Sequence, residues 1–392
     1  MTVLTPGLTR PGAPTVRPAL TELRLTARTF HLGTTLEPGP LTLLTGPSGS
    51  GRTSILRAYE ALARLAAGAT LEEALPDPAA WTPERSAPDP EGRRGFRIGC
   101  TTTGPTGPIH LDLAVQTHPE LRIVGERLTT DDGTELFTSA LRDPTRSTVQ
   151  AAWHTAGLAP VTRAPLPGDR LGTALLPLRV AGKTAGQRQV LAGAEQVVVA
   201  LRSVFACDPR PERMRAPTAT GTPHGTGRLL PHCGNLASVL RRTRTECSRR
   251  HARLVTAVRA GCTGPVVDLR TEDLPDGRTH AVLDRGDGHH TPLPRLGDGE
   301  LRYLALALVL LTGPGVLDVD PVTEIPDAYQ CLTVLADDLD RSMDARQVRE
   351  LARLAAEMCE RGHVRLLGSV RDTAPVREGV TGEPLTVVDL DR

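Results

Sequence analysis

One glycine-rich segment, residues 46–54, constrains the fold of this chain more than any other. It directly follows the short apolar run Leu41–Thr45 and directly precedes an amphipathic stretch at residues 52–67. An apolar strand, a glycine turn and a helix in this order place successive backbone N–H groups at a helix N-terminus, where anions bind. The residues that we expect to contact phosphate groups and their metal ion are Gly46, Pro47, Ser48, Gly49, Ser50, Gly51, Arg52, Thr53 and Ser54.

The segment fits the phosphate-loop pattern G-x-x-x-x-G-K-[ST] at every fixed position except the lysine, which is Arg52 here. We expect the hydroxyl of Thr53 to bind Mg²⁺ and Arg52 to lie where the lysine normally meets the β- and γ-phosphates. An arginine is a wide planar fork and a lysine is a compact point charge, so the exchange is not conservative. Because backbone amides provide much of the contact, binding should survive the exchange better than fast hydrolysis.

The remaining pattern predicts an α/β fold in which a mostly parallel core sheet is flanked by helices. Short alternating segments between residues 96 and 154 predict an antiparallel β subdomain, inserted after the phosphate-loop helix. The strands expected elsewhere are residues 20–27, 30–36, 266–272, 280–285, 316–319 and 364–367. The helices expected are residues 187–206, 235–260, 301–311 and 345–361, with linker or loop at 160–177 and 208–231. The expected organisation is a flexible tail (1–19) and a single domain (20–392), comprising a nucleotide-binding core (20–67 and 234–392), the β subdomain (95–155) and a helical or loop insertion (156–233).

Composition excludes several classes of protein. The 46 basic and 45 acidic residues nearly cancel, so nothing in the net charge demands a nucleic acid or an anionic membrane as partner. The seven cysteines form no CxxC pair, which favours free thiols in a reducing compartment. The longest apolar run, residues 304–311, is too short to span a bilayer. We therefore expect a cytoplasmic protein with no membrane segment.

Two further segments carry candidate site residues. Gly297, Asp298 and Gly299 stand directly before a predicted helix and offer a second anion site, although an ordinary helix start has the same appearance. The apolar residues 316–319 end among carboxylates, with Asp318 and Asp320, and such a strand end can hold Mg²⁺ and polarise water. The alternative there is a strand end with solvated aspartates.

The order of these features resembles the ABC-type P-loop ATPases of the RecF/SMC/OLD-like branch, over residues 20–370. Residues 296–300 are similar to the signature loop of that family, and residues 302–306 to the segment that follows it. Residues 202–215 and 234–240 also look like family segments. The resemblance implies ATP and Mg²⁺ as ligands and a head-to-tail homodimer in which Gly297, Asp298 and Gly299 cap the γ-phosphate on the partner subunit. It also implies that hydrolysis releases the dimer and acts on a protein partner.

The departures from the family pattern imply slow turnover. Arg52 replaces the loop lysine and Gly297 replaces the signature serine. Residues 319–320 stand where the family has two adjacent carboxylates, so Asp320 is the candidate to orient water, with Asp318 beside Thr53 on the Mg²⁺ side. Residues 368–371 lack the switch histidine.

We therefore predict an ATP-binding protein, a slow ATPase that acts as a switch. Two alternatives remain open: a non-catalytic regulatory or scaffold module, and a DNA-associated ATPase. The arginine-rich residues 241–253 suit DNA, but the neutral net charge does not. The spacing alone does not distinguish ATP from GTP.

Overall fold

The computed structural model describes residues 16–26, 33–82, 87–155, 161–219, 227–319, 330–380, 382 and 384–391. The strands are β1 (Ala19–Thr26), β2 (Thr34–Leu36), β3 (Leu41–Thr45), β4 (Arg94–Gly104), β5 (Gly107–His118), β6 (Arg122–Thr130), β7 (Glu135–Ala140), β8 (Thr148–His154), β9 (Val161–Pro167), β10 (Val204–Ala206), β11 (Thr218–Ala219), β12 (Asp268–Asp273), β13 (Arg278–Gly286), β14 (His289–Pro292), β15 (Leu332–Ala336), β16 (Val364–Ser369) and β17 (Leu385–Asp389). The helices are α1 (Arg52–Ala66), α2 (Leu71–Ala74), α3 (Gly172–Arg179), α4 (Ala185–Arg202), α5 (Pro211–Met214), α6 (Leu236–Glu246), α7 (Ser248–Gly261), α8 (Asp298–Leu311), α9 (Ala345–Glu360) and α10 (Ala374–Gly379).

A parallel sheet of five strands forms the centre of the fold, in the order β10-β15-β16-β3-β17. β3 is therefore an inner strand, paired with β16 on one side and β17 on the other. In the register, Leu44 of β3 lies opposite Ser369 of β16, and Ala336 of β15 lies opposite Gly368. Because all five strands point the same way, the segments that follow β3, β15 and β16 emerge at one edge of the sheet.

The parallel sheet lies between two hydrophobic clusters. Successive side chains of a strand point to opposite faces, and accordingly Leu43 belongs to one cluster and Leu44 to the other. The first cluster buries side chains of α6, α7, α8 and α9. The second buries α1, α4 and one face of the antiparallel sheet. Both faces of β3 are thus covered, so the loop that follows it begins at a strand that is held firmly in place.

The second large sheet is antiparallel and has eight strands, in the order β2-β1-β4-β5-β6-β7-β8-β9. Helix α4 packs on its inner face through the buried side chain of Gln196. The amide oxygen of Gln196 accepts hydrogen bonds from the backbone N–H and the hydroxyl of Thr106, and its amide nitrogen donates to the Gly107 carbonyl. A buried amide satisfied in this way fixes the β4–β5 hairpin on the helix. A smaller antiparallel sheet contains β11, β13, β12 and β14.

Several predictions about elements are confirmed and others are wrong. The strand–loop–helix unit and the antiparallel strands between residues 96 and 154 are present. The linker expected at 160–177 contains β9 and α3, and the large sheet takes in β1, β2 and β9 beyond the range 95–155. The helix expected at 235–260 is two helices, because Cys247 is extended (φ −151) between α6 and α7. The domain ranges stay a prediction.

The central strand expected at residues 316–319 is the most consequential error. Leu317 forms only an isolated bridge with Leu229 and does not join the parallel sheet. The strand that lies there between β10 and β16 is β15, for which the sequence pattern gave no prediction. Its five residues are all buried. The short run 316–319 is also apolar, but it packs in the first hydrophobic cluster without strand neighbours.

Candidate functional site

The glycine-rich loop turns from β3 into α1 through three glycines with positive φ. The φ angles are 144° at Gly46, 87° at Gly49 and 93° at Gly51, a region that L-residues with a side chain rarely adopt. The N–H of Ser50 donates to the carbonyl of Pro47 at 3.1 Å, which closes the turn. A Cβ added at Gly49 would meet no atom within 4 Å. The outer side of the loop is thus open at the N-terminus of α1, which suits a bound polyphosphate.

Thr53 meets a carboxylate from another strand. Its hydroxyl donates to Oδ2 of Asp337 at 2.7 Å, and Asp337 directly follows the buried strand β15. The other oxygen, Oδ1, accepts from the hydroxyl of Ser369 at 2.5 Å and from the N–H of Asp338 at 3.1 Å. A hydroxyl beside a carboxylate at a phosphate loop offers the oxygen ligands that Mg²⁺ prefers. Thr53 and Asp337 are therefore the residues that would hold a magnesium ion at this loop.

Asp338 places a second carboxylate beside the first. Its backbone is left-handed (φ 45°), a region that aspartate enters more readily than most residues. This geometry is held by Ser369, whose hydroxyl oxygen accepts from the Asp338 N–H at 2.8 Å. The Asp338 carboxylate itself forms an ion pair with Arg371 at 3.2 Å. A non-glycine residue held in this conformation is typical of a functional loop.

Arg52 connects the phosphate loop with the end of β16. It is the first residue of α1, as expected from the sequence, and its Nη1 donates to the Val370 carbonyl at 3.0 Å. The N–H of Val370 in turn donates to the Leu44 carbonyl of β3. The guanidinium therefore lies across the edge of the sheet where β3 and β16 end.

The second glycine-containing loop forms the N-terminus of α8, as predicted. Gly297 is the N-cap (φ −64°), and Asp298 is held by Arg215 at 2.6 Å. Gly299 is packed closely, because a Cβ at this position would lie 2.2 Å from the carbonyl oxygen of Ser342. Loop and helix thus rest on the segment that follows Asp337 and Asp338.

Arg302, in the second turn of α8, is buried and provides a second contact between α8 and the segment that contains Asp338. Its guanidinium donates to the carbonyls of Pro209 at 2.8 Å and Asp338 at 2.9 Å. Burial lowers the pKa of Arg302 from its ordinary value. The carboxylate loop and the helix α8 are therefore joined within one chain.

The carboxylates expected from the sequence are not those beside Thr53. Asp318 is exposed in the bend after Leu317, where its N–H donates to the Leu229 carbonyl. Asp320 lies outside the described residues. The adjacent carboxylate pair is instead Asp337 and Asp338. The signal that could have found it is the wholly apolar run of β15 followed at once by two aspartates.

Most of the arginine-rich segment is internally charge-paired. Residues 241–253 include the second half of α6 and the first part of α7, and four of their six arginines contact acidic side chains. The pairs are Arg241 with Asp273, Arg242 with Glu246, Arg244 with Asp268 and Arg253 with Glu357. Because four of the six arginines are matched by carboxylates, the segment carries much less net positive charge than its arginine count suggests, and net positive charge is what attracts nucleic-acid phosphates.

The described residues contain neither a cluster of metal ligands nor a helix that could cross a membrane. Among the described residues, no three or more His, Cys, Asp or Glu side chains come together in a way that could hold a metal ion. None of the helices in the described part of the chain is both long and apolar enough to cross a bilayer. The seven cysteines are all free thiols.

The parallel sheet and the loop after β3 define an α/β chain with a P-loop-type fold. No protein family and no curated protein matches the sequence. Three solved structures to which the chain is similar are SMC head domains. One, bound to the C-terminal winged-helix domain of ScpA, has 10% identity, a TM-score of 0.46 and 92% coverage of both chains.

The SMC head domain from Thermotoga maritima has 12% identity, a TM-score of 0.39 and 94% coverage of both chains. A third head domain, with an extended coiled coil and bound to the C-terminal domain of ScpA derived from Pyrococcus furiosus, has 9% identity and a TM-score of 0.45. It covers 93% of this chain and 92% of that one.

Proposed function

We propose that this chain binds ATP with Mg²⁺ at the loop of residues 46–54 and hydrolyses it slowly. The observation that carries the proposal is the hydrogen bond between Thr53 and Asp337. It joins the helix after the phosphate loop to the carboxylate at the end of β15. Backbone amides of the loop and the positive end of α1 stabilise the phosphate charge. Bound Mg²⁺ supplies charge neutralisation at the β- and γ-phosphates.

The chain's own residues then have separate tasks. Thr53 and Asp337 hold the metal side, and the loop amides with Arg52 hold the phosphates. Asp338 orients the attacking water molecule, the role for which the sequence favours Asp320. Two features support slow turnover: Arg52 replaces a lysine and contacts the Val370 carbonyl, and Asp338 is engaged by Arg371.

The dimer remains part of the proposal. Gly297, Asp298 and Gly299 form the N-terminus of α8, and such a terminus can cap the γ-phosphate of a nucleotide on a second copy of the chain. ATP would then join two copies head to tail, and hydrolysis would release them and signal to a protein partner. The SMC head domains to which the chain is similar include two that are bound to parts of ScpA, which is consistent with a protein partner.

Replacing Gly51 with alanine is expected to weaken binding of Mg-ATP about tenfold or more, which corresponds to about 1.4 kcal/mol. The reason is that φ at Gly51 is 93°, so an added Cβ shifts the loop and misaligns the amides that face phosphate. Isothermal titration with ATP, GTP and ADP, with and without Mg²⁺, measures the effect. It also determines which nucleotide the loop prefers.

Gly68→Ala is the matched control. Gly68 has φ 94°, almost equal to that of Gly51, but lies beyond the far end of α1 with no atom near its added Cβ. The two variants should lose similar stability, whereas only Gly51→Ala should lose affinity. Wild-type protein that binds neither ATP nor GTP at millimolar concentration with Mg²⁺ would refute the proposed function. If ATP binds but single-turnover hydrolysis is absent, the chain is a non-catalytic module.

A further inference from the structure

Arg371 occupies a position in the site that the phosphate-loop pattern does not assign. It follows β16 by two residues, and its guanidinium forms an ion pair with the Asp338 carboxylate at 3.2 Å. Its side chain is 65% exposed, against 32% for Asp338. Exposed ion pairs of this kind are weak, so a stronger anion can displace one partner.

The backbone of Arg371 is fixed close to the phosphate loop. Its own N–H donates to Oδ2 of Asp340 at 2.9 Å. The preceding residue, Val370, is bonded through its N–H to the Leu44 carbonyl and through its carbonyl to Arg52. Arg371 therefore directly follows the residue that contacts Arg52, the first residue of α1. Its backbone is held in place by hydrogen bonds, whereas its long side chain is exposed.

The local charges favour a change of partner when a nucleotide binds. Asp337, Asp338 and Asp340 place three carboxylates within four residues, next to the loop at which we propose that ATP binds. A triphosphate brings further negative charge to this edge of the sheet. Arginine can pair with phosphate through two parallel N–H···O bonds, which are stronger than a single contact to a carboxylate.

We propose that Arg371 distinguishes a nucleoside triphosphate from a diphosphate by leaving Asp338 and pairing with the terminal phosphate. The exchange frees the Asp338 carboxylate only when a third phosphate is present. Arg371 thus restrains Asp338 in the absence of ATP and responds to its arrival. The inference rests on the proposed function, because it needs ATP at the loop of residues 46–54.

Arg371→Gln is expected to lower the affinity for Mg-ATP about tenfold and to leave the affinity for Mg-ADP unchanged, since coupling terms of this kind are commonly 5- to 150-fold. Isothermal titration with each nucleotide measures the ratio of the two affinities without any turnover. Arg377→Gln, which removes the same charge from an exposed position on α10, should change neither value.

A double-mutant cycle provides a second test with the opposite sign. Asp338→Asn removes the competing partner of Arg371 and should raise the affinity for Mg-ATP severalfold. That gain should disappear in the double variant Asp338→Asn/Arg371→Gln, because the two side chains act as a pair. A gain of equal size in both backgrounds would mean that Asp338 simply repels phosphate, and would overturn the inference.

The two proposals fail in different ways. If the wild type binds no nucleotide, the proposed function fails and the inference falls with it. If the wild type binds Mg-ATP, and Arg371→Gln weakens ATP and ADP equally or changes neither, the inference alone is overturned. Circular dichroism and thermal unfolding of each variant establish that the fold is intact.

Discussion

Asp337→Asn is expected to lower the affinity for ATP in the presence of Mg²⁺ by about 10–100-fold. A loss of this size is typical when residues that organise a metal site are changed. Asparagine keeps the shape and one acceptor oxygen, but it removes the negative charge beside the Thr53 hydroxyl. Affinity measured in EDTA should change little, because the loop amides and Arg52 remain. The measurement is a titration of ATP by calorimetry at several Mg²⁺ concentrations.

Asp318→Asn is the matched control, because the sequence alone assigns Asp318 to the metal. The structure places it beside Leu229, outside the parallel sheet. We expect this variant to bind Mg-ATP like the wild type. The reverse result, with Asp318→Asn impaired and Asp337→Asn normal, would show that the carboxylate at the end of β15 is not the metal-side residue.

Gly299→Ala is expected to destabilise the protein by about 1–3 kcal/mol, even without nucleotide, because overpacked sites cost about that much. The added Cβ would lie 2.2 Å from the Ser342 carbonyl oxygen and 2.9 Å from Oε1 of Gln347. Ser342 and Gln347 belong to the segment that follows Asp338 and to α9, so either this segment or α8 must shift. Urea unfolding followed by circular dichroism measures the free-energy difference.

Gly297→Ala should lower the free energy of unfolding by less than about 1 kcal/mol, a cost that comes from the weaker preference of alanine for the N-cap position. Gly297 has φ −64°, which alanine adopts freely, and its added Cβ meets only Glu300, at 3.9 Å. If the two glycine variants were equally stable, the close packing of α8 against the Ser342 segment would be refuted. If Gly297→Ala nonetheless weakened ATP-dependent dimerisation, the proposed role of this loop on a partner would be supported.

The phosphate loop could be predicted from the sequence because everything that defines it is local. The strand, the glycines and the helix are contiguous, and their spacing alone fixes where the amides and Thr53 lie. The helix start at Gly297 was predictable for the same reason. The predictions that succeeded are those in which neighbouring residues along the chain form the structure.

The carboxylates beside Thr53 could not be predicted in this way, because two apolar runs follow the helix predicted at residues 301–311. Residues 316–319 and β15 are both short, and both have aspartates at or near their ends. The nearer run, residues 316–319, fits the expected order of motifs better. Only strand pairing distinguishes the two runs. β15 pairs with β10, which lies more than a hundred residues earlier in the chain, and with β16, which lies about thirty residues later. Short apolar runs do not reveal their strand partners.

The position of β3 between β16 and β17 has a consequence for how the protein is made. β3 and its loop are complete after residue 54, but both of its partner strands come after residue 360. On the ribosome the glycine-rich loop therefore remains without sheet neighbours until residues beyond 364 have emerged. Contacts of such long sequence separation form late and slowly. Products truncated before residue 364 should accordingly contain the complete glycine motif and yet bind no nucleotide.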